Sequence, residues 1–155
     1  MRLKDFTVKT ISTFFYVGYL PFIPGTFGSI FGLFLFFLVK DSLFLYAGVT
    51  LLITVLGLSV SGQAEKIFGQ KDCRYIVIDE IAGMLLSLMF LPYDLKLVIA
   101  GFVIFRLLDA LKPYPIGRLE RLKGGVGVMS DDIMAAVYTN LILQVTARLA
   151  SFKAS

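Results

Sequence analysis

SLFLYAGVTLLITVLGLSVSGQA, residues 42–64, is a run of 23 residues without a charge. An α-helix rises about 1.5 Å per residue, so this run is long enough to cross the ~30 Å hydrocarbon core of a bilayer. The composition agrees: 57% of the 155 residues are hydrophobic, only 17% are charged, and 15 are Phe. Soluble domains run at about 45–50% and about 25%. A soluble chain of this size would have to expose much of its apolar surface in large patches, which monomers rarely do. The expected fold is all-α: a membrane-embedded helical bundle, one domain over residues 1–155.

On the N-terminal side of that run, residues 10–39 carry no charge but hold Pro21, Pro24 and Gly25. Proline withholds a backbone donor and disfavours helix in the residue before it. The expectation is a short helix to about Tyr19, a break over residues 20–25, and a helix over residues 27–39 with Thr26 as N-cap. The apolar stretch after the basic start MRLKDFTVK has no small-residue cleavage site, so it is expected to stay in the mature protein.

On the C-terminal side, Pro92-Tyr93-Asp94 is a turn signal between two shorter apolar runs. It predicts a helical hairpin, residues 76–91 and 95–111. A last helix is expected over residues 131–149, capped by Ser130; whether it crosses the membrane is left open. Ten basic residues lie in three segments: Arg2, Lys4 and Lys9; Lys66, Lys71 and Arg74; Lys112, Arg118, Arg121 and Lys123. Helices that alternate in direction bring all three to one side, which the positive-inside rule makes cytoplasmic. The opposite side gets Lys40, Lys96, Arg148 and Lys153. The net charge of +4 therefore points to anionic lipid heads rather than nucleic acid, for which there is no basic stripe or motif.

Folding the hairpin about Tyr93 sets Glu80 and Arg106 level, since each lies 13 residues from that pivot. Asp109, three residues past Arg106, shares its face. Asp79-Glu80, Asp109 and Asp131-Asp132 make five of only eleven acids, and the hairpin and last helix can gather them at one membrane face. Acids at helix starts are common capping choices, so either Asp pair alone has a bland explanation. Asp109, at a helix end that disfavours acids, does not. Such a group suits a hard cation such as Mg²⁺. Arg106 can hold a phosphate bidentately or simply pair with Asp109 or Glu80; Lys112 can meet a phosphate as a point charge. The backbone amides of Gly124, Gly125 and Gly127 can cradle an anion or merely form a connection.

Chemistry excludes several alternatives. With no histidine, a phosphohistidine intermediate is impossible. The single cysteine, Cys73, allows no internal disulfide, and six positions after it stands Asp79 rather than the arginine of a cysteine phosphatase. The DxDx[TV] pattern of aspartyl-phosphate enzymes and the paired-Asp signature of CDP-alcohol transferases are missing. Metal-assisted attack by water remains, with a carboxylate as general base.

Four blocks, LPFIPGTFGS (residues 20–29), IVIDEIAG (76–83), FRLLDALKPYPI (105–116) and GGVGVMSDDIMA (124–135), resemble in sequence and order the signature blocks of the phosphatidylglycerophosphatase A family. The resemblance spreads over most of the chain. It implies a Mg²⁺-dependent enzyme of the bacterial inner membrane that converts phosphatidylglycerophosphate to phosphatidylglycerol. Carried over residue by residue, it gives metal binding or catalysis to Asp79, Glu80, Asp109, Asp131 and Asp132, phosphate contacts to Arg106 and Lys112, and a wall of the site to Thr26 and Ser29. The chain departs from the pattern at Asp72-Cys73-Arg74, where the family often reads DPS, and at Ala135-Ala136, where it tends to Ala-Gly. Two rivals stand: a small cation transporter or channel that uses the acids as its ion site, and a scaffold with the same fold and no metal. Oligomeric state is not legible in the sequence.

Overall fold

A computed structural model describes residues 3–71 and 73–154, the side chains of 151–154 excepted. Arg2, Asp72 and the side chain of Lys153 lie outside the described residues. The elements are α1 (Leu3–Ser12), a 3₁₀ turn (Val17–Tyr19), α2 (Pro24–Val39), α3 (Leu43–Phe68), α4 (Ile78–Leu88), α5 (Leu95–Leu111), α6 (Ile116–Leu119) and α7 (Gly125–Ala154). Among the described residues the fold is all-α, as expected.

Local chemistry explains most boundaries. The Ser42 hydroxyl accepts the Leu45 N–H at the start of α3, and Gly69 closes its end at φ +68. Asp94 caps α5 by accepting the Lys96 N–H, while Lys112 ends it at φ 44. Two expectations fail at the N-terminal side. α1 stops at Ser12, because the Thr13 hydroxyl donates to the Lys9 carbonyl (2.8 Å) and accepts the Tyr16 N–H (3.1 Å), bonds that compete with the helix ladder. Thr26 is not an N-cap: α2 already starts at Pro24, which fits the first helical turn because it needs no N–H there.

α4 is the centre of the bundle. Nine of its eleven residues are buried, and α2, α3, α5 and α7 all pack against it. Close approach depends on missing side chains: a β-carbon at Gly32 of α2 would lie 2.7 Å from the Met84 Cβ, and one at Gly125 would collide with the Leu58 carbonyl of α3. Small residues are the usual means of bringing helices together where lipid supplies no hydrophobic drive.

The hairpin helix expected to reach residue 91 stops at Leu88. Met89 is extended, Phe90 turns the chain at φ 61, and Tyr93 packs on Phe37 and under Lys40 near the far end of α2. Irregular backbone at membrane depth needs protein partners, and α7 supplies them. Asn140 Nδ2 donates to the carbonyls of Leu86, Ser87 and Met89 (3.4, 3.1 and 2.8 Å), and Gln144 Nε2 donates to that of Phe90 (3.3 Å). The Tyr46 hydroxyl of α3 adds a bond to the Leu85 carbonyl.

α3 and the Gly125–Ala150 part of α7 are each 26 residues, with mean hydropathies of 2.2 and 1.3, and only 22% of either apolar window is buried. The core helix of a soluble protein would be mostly covered. Here Leu51, Leu52, Val55, Leu141, Ile142 and Val145 face outward, as lipid-facing residues do, and the chain is a membrane protein. The last helix, left open by the sequence, is long enough to cross.

Candidate active site

The starts of α2, α4 and α7 and the ends of α3 and α5 meet at one end of the bundle, together with α1 and α6. Each acid is set by its helix. Asp79 and Glu80 occupy the first turn of α4, Asp109 the last turn of α5. Asp131 and Asp132 lie on α7 but not at its start, as the sequence reading had it. The helix begins at Gly125, so the dipole of its first turn does not account for them. Ser130 is likewise no cap; its hydroxyl donates to the Leu119 and Gly127 carbonyls (3.4 and 3.5 Å).

One carboxylate oxygen from each of Asp79, Glu80 and Asp132 lies within 4.8 Å of the others. Asp79, Asp131 and Asp132 are buried, at 6, 4 and 3% exposure. Arg106 Nη1 pairs with Asp109 Oδ2 at 2.6 Å, so of the two readings of Arg106 the ion pair is the one formed. Lys112 Nζ lies 2.9 Å from Asp131 Oδ2 and 3.1 Å from Glu120 Oε2. Its backbone, left-handed where glycine would be easier, turns the chain out of α5 at this point. A cavity of about 260 Å³ opens onto all five acids and Lys112.

Burial, then repulsion from Glu80 and Asp132, holds the Asp79 carboxyl well above its ordinary range. Burial likewise pushes Glu80 up to about 7, against a lowering hydrogen bond from Asp79. Glu80 Oε2 and Asp132 Oδ1 are buried with no hydrogen-bond partner among the described residues. Buried oxygens of this kind call for a partner. Converging carboxylates with spare lone pairs fit a hard, oxygen-seeking cation, and Asp79, Glu80 and Asp132 are the residues that would hold it.

The structure thus brings Asp79, Glu80, Asp109, Asp131, Asp132, Arg106 and Lys112 together. It does not bring in the rest. Thr26 sits in the first turn of α2 with its N–H on the Ile23 carbonyl, and the buried Ser29 hydroxyl donates back to Gly25 (3.1 Å); neither lines the cavity. Gly124, Gly125 and Gly127 are a tight packing joint rather than an anion cradle. Gly125 is pressed on α3, a β-carbon at Gly127 would strike the Leu122 carbonyl, and the Gly127 N–H is taken by Gly124 O (2.9 Å).

Some residues of the site were not proposed for it from the sequence. Cys73 and Arg74 line the cavity, and Gly25 borders it: a β-carbon there would collide with Glu80 Oε1 and lie 3.3 Å from Arg106 Nη2. The signal for Gly25 was its place in the PGT turn, which reads equally well as a plain helix break. Gly25→Ala is expected to displace the Glu80 carboxylate and lower turnover about 100-fold, with little change in thermal unfolding. Initial rates and melting curves on the same preparation check it.

Fold and site together define a membrane-embedded helical protein with a cation-type carboxylate cluster flanked by Lys and Arg. The family model described as Phosphatidylglycerophosphatase A matches residues 10–147, and the chain belongs to that family. It is 42% identical over 129 residues to phosphatidylglycerophosphatase A of Escherichia coli, covering 81% of this chain and 75% of the relative. It is 35% identical over 126 residues to the Haemophilus influenzae protein of the same name, covering 77% and 76%. A Bacteroides thetaiotaomicron protein provisionally named a phosphatidylinositol-3-phosphatase is 35% identical over 154 residues, covering 94% and 96%. No solved structure matches the chain at a significant level.

Proposed function

We propose that the chain, acting as one domain, removes the terminal phosphate of phosphatidylglycerophosphate to give phosphatidylglycerol, with Mg²⁺ as cofactor. The observation that carries this is the meeting of Asp79, Glu80 and Asp132 within 4.8 Å, with two unpartnered oxygens. Bound there, the cation would supply Lewis-acid polarisation of a phosphate oxygen and acidify a water. The chain's own groups do the rest. Lys112 and Arg106 offset the charge of the phosphate. One carboxylate of the set takes the proton of the attacking water. The basic segments at the site end support a cytoplasmic face on the inner membrane. Nothing supports cation transport: the acids gather at one bundle end, and α3 is free of charge from Leu43 to Ala64.

The test is phosphate release from phosphatidylglycerophosphate in detergent micelles, with Mg²⁺ and with EDTA. Metal-dependent release is the expected result; none from folded protein on any lipid phosphate overturns the proposal. The full-length likeness to the Bacteroides protein favours one second reading, a phosphatidylinositol phosphate as substrate, so phosphatidylinositol 3-phosphate belongs in the same assay.

The raised Glu80 adds a pH signature. From the ordinary 4.5 up to about 7, the carboxyl is ionised when unfolded but protonated when folded. The cation-free protein therefore loses stability as pH rises through that window. A cation needs the ionised form, so the Mg²⁺-induced rise in Tm should grow between about pH 6 and about pH 8. Melting curves across that range, with Mg²⁺ and with EDTA, check the sign.

A further inference from the structure

Two of the cations that face the acids are already engaged, Arg106 by Asp109 and Lys112 by Asp131 and Glu120. Arg74 differs. It lines the same cavity, is exposed, and has no carboxylate partner among the described residues. It is nevertheless held in place. Its guanidinium lies 5.2 Å from the centre of the Tyr75 ring, and Nη2 donates to the Tyr75 hydroxyl at 3.4 Å. Tyr75 in turn stacks on Tyr19 with ring centres 4.9 Å apart and planes at 20°. Gly18 lets the preceding turn close against the Tyr75 carbonyl, where a β-carbon would collide. Buried Cys73, at 3% exposure, anchors the other side. An arginine oriented by aromatic stacking, facing a cleft and lacking an acid partner, is built to meet an anion from outside.

The substrate class supplies one. In phosphatidylglycerophosphate the monoester to be cleaved carries a charge of about −1.5 to −2 at neutral pH. A second phosphate, the diester, joins the same headgroup to the lipid. Phosphatidylinositol phosphates share that pairing, whereas phosphatidic acid has only the monoester. With the monoester at the carboxylate end, the diester falls toward the cavity rim. We propose that Arg74 binds the phosphodiester and selects lipids that carry both phosphates; this rests on the lipid-phosphatase reading above.

The test compares wild type, Arg74→Gln and Arg74→Lys on phosphatidylglycerophosphate and on phosphatidic acid in the same micelles. Arg74→Gln should raise KM for phosphatidylglycerophosphate about fivefold or more with kcat nearly unchanged. It should leave phosphatidic acid turnover alone, which also reports that the fold is intact. Arg74→Lys should recover part of the loss. Equal loss on both lipids, or none on either, overturns the proposal. A binding arm needs no turnover: titrating the deacylated headgroup, glycerophosphoglycerol phosphate, against glycerol 3-phosphate by thermal shift. Wild type should prefer the diester-bearing ligand and Arg74→Gln should not; equal binding by wild type overturns the Arg74 contact. A wild type that keeps the preference but hydrolyses no lipid phosphate would instead overturn the phosphatase reading alone.

Discussion

Asp132→Asn is expected to lower phosphate release from phosphatidylglycerophosphate by about 10³-fold, yet leave the cation-free protein nearly as stable. The substitution keeps the size and shape of the side chain and removes one acid from a converging group of three. With no cation present, the Asp132 Oδ1 has no hydrogen-bond partner among the described residues, so replacing the carboxyl costs the folded state little. If Asp132 holds the cation as proposed, the same change weakens Mg²⁺ binding, and the Mg²⁺-induced rise in Tm should shrink. A residue that merely packs would lose stability and activity together. Initial rates in micelles and melting curves in EDTA and in Mg²⁺ separate the two cases. Undiminished turnover would take Asp132 out of the chemistry.

The second large effect is one of stability. Asn140→Leu is expected to destabilise the bundle by about 3 kcal/mol or more, since an unpaired polar group away from water costs about 1–3 kcal/mol. One amide nitrogen serves three carbonyls, those of Leu86, Ser87 and Met89, where α4 has run out of its own donors. Leucine fits the apolar surroundings but offers those carbonyls nothing. Unfolding in mixed micelles measures the difference. A loss within about 0.5 kcal/mol, the ordinary range for surface changes, would mean that water already reaches the end of α4.

Much of the fold was legible because its signals are local. α5 begins and ends where the sequence places it, Asp94 capping one end and Lys112 turning the chain at the other. α3 was marked by its uncharged length alone, although Glu65 and Lys66 continue the helix to Phe68. The acids stood out because a chain with few charges spends five of them in three short segments. What escaped depends on contacts between distant segments. Gly124, Gly125 and Gly127 look like a loose, anion-holding loop, but pressure against Leu58 and Leu122 makes them a joint and starts α7 early. Thr26 and Ser29 share a turn with Gly25, yet the residue without a side chain is the one that meets Glu80 and Arg106. Nothing in the run from Met84 to Leu91 announces that its helix stops at Leu88; the reason lies on α7, more than fifty positions later.

Asn140 and Gln144 touch no reacting group, yet drift at both should be nearly as confined as at the acids. Leu141, Ile142 and Val145 beside them face outward, and descendants of this chain can exchange such residues among themselves at little cost. An amide replaced by a hydrocarbon strands the carbonyls it served. Variation among descendants is thus expected to be lowest in two separate places. One is the acid end of the bundle. The other is a spot about 12 Å deeper along α7, silent in every activity assay on folded protein and visible only as chains that fail to assemble.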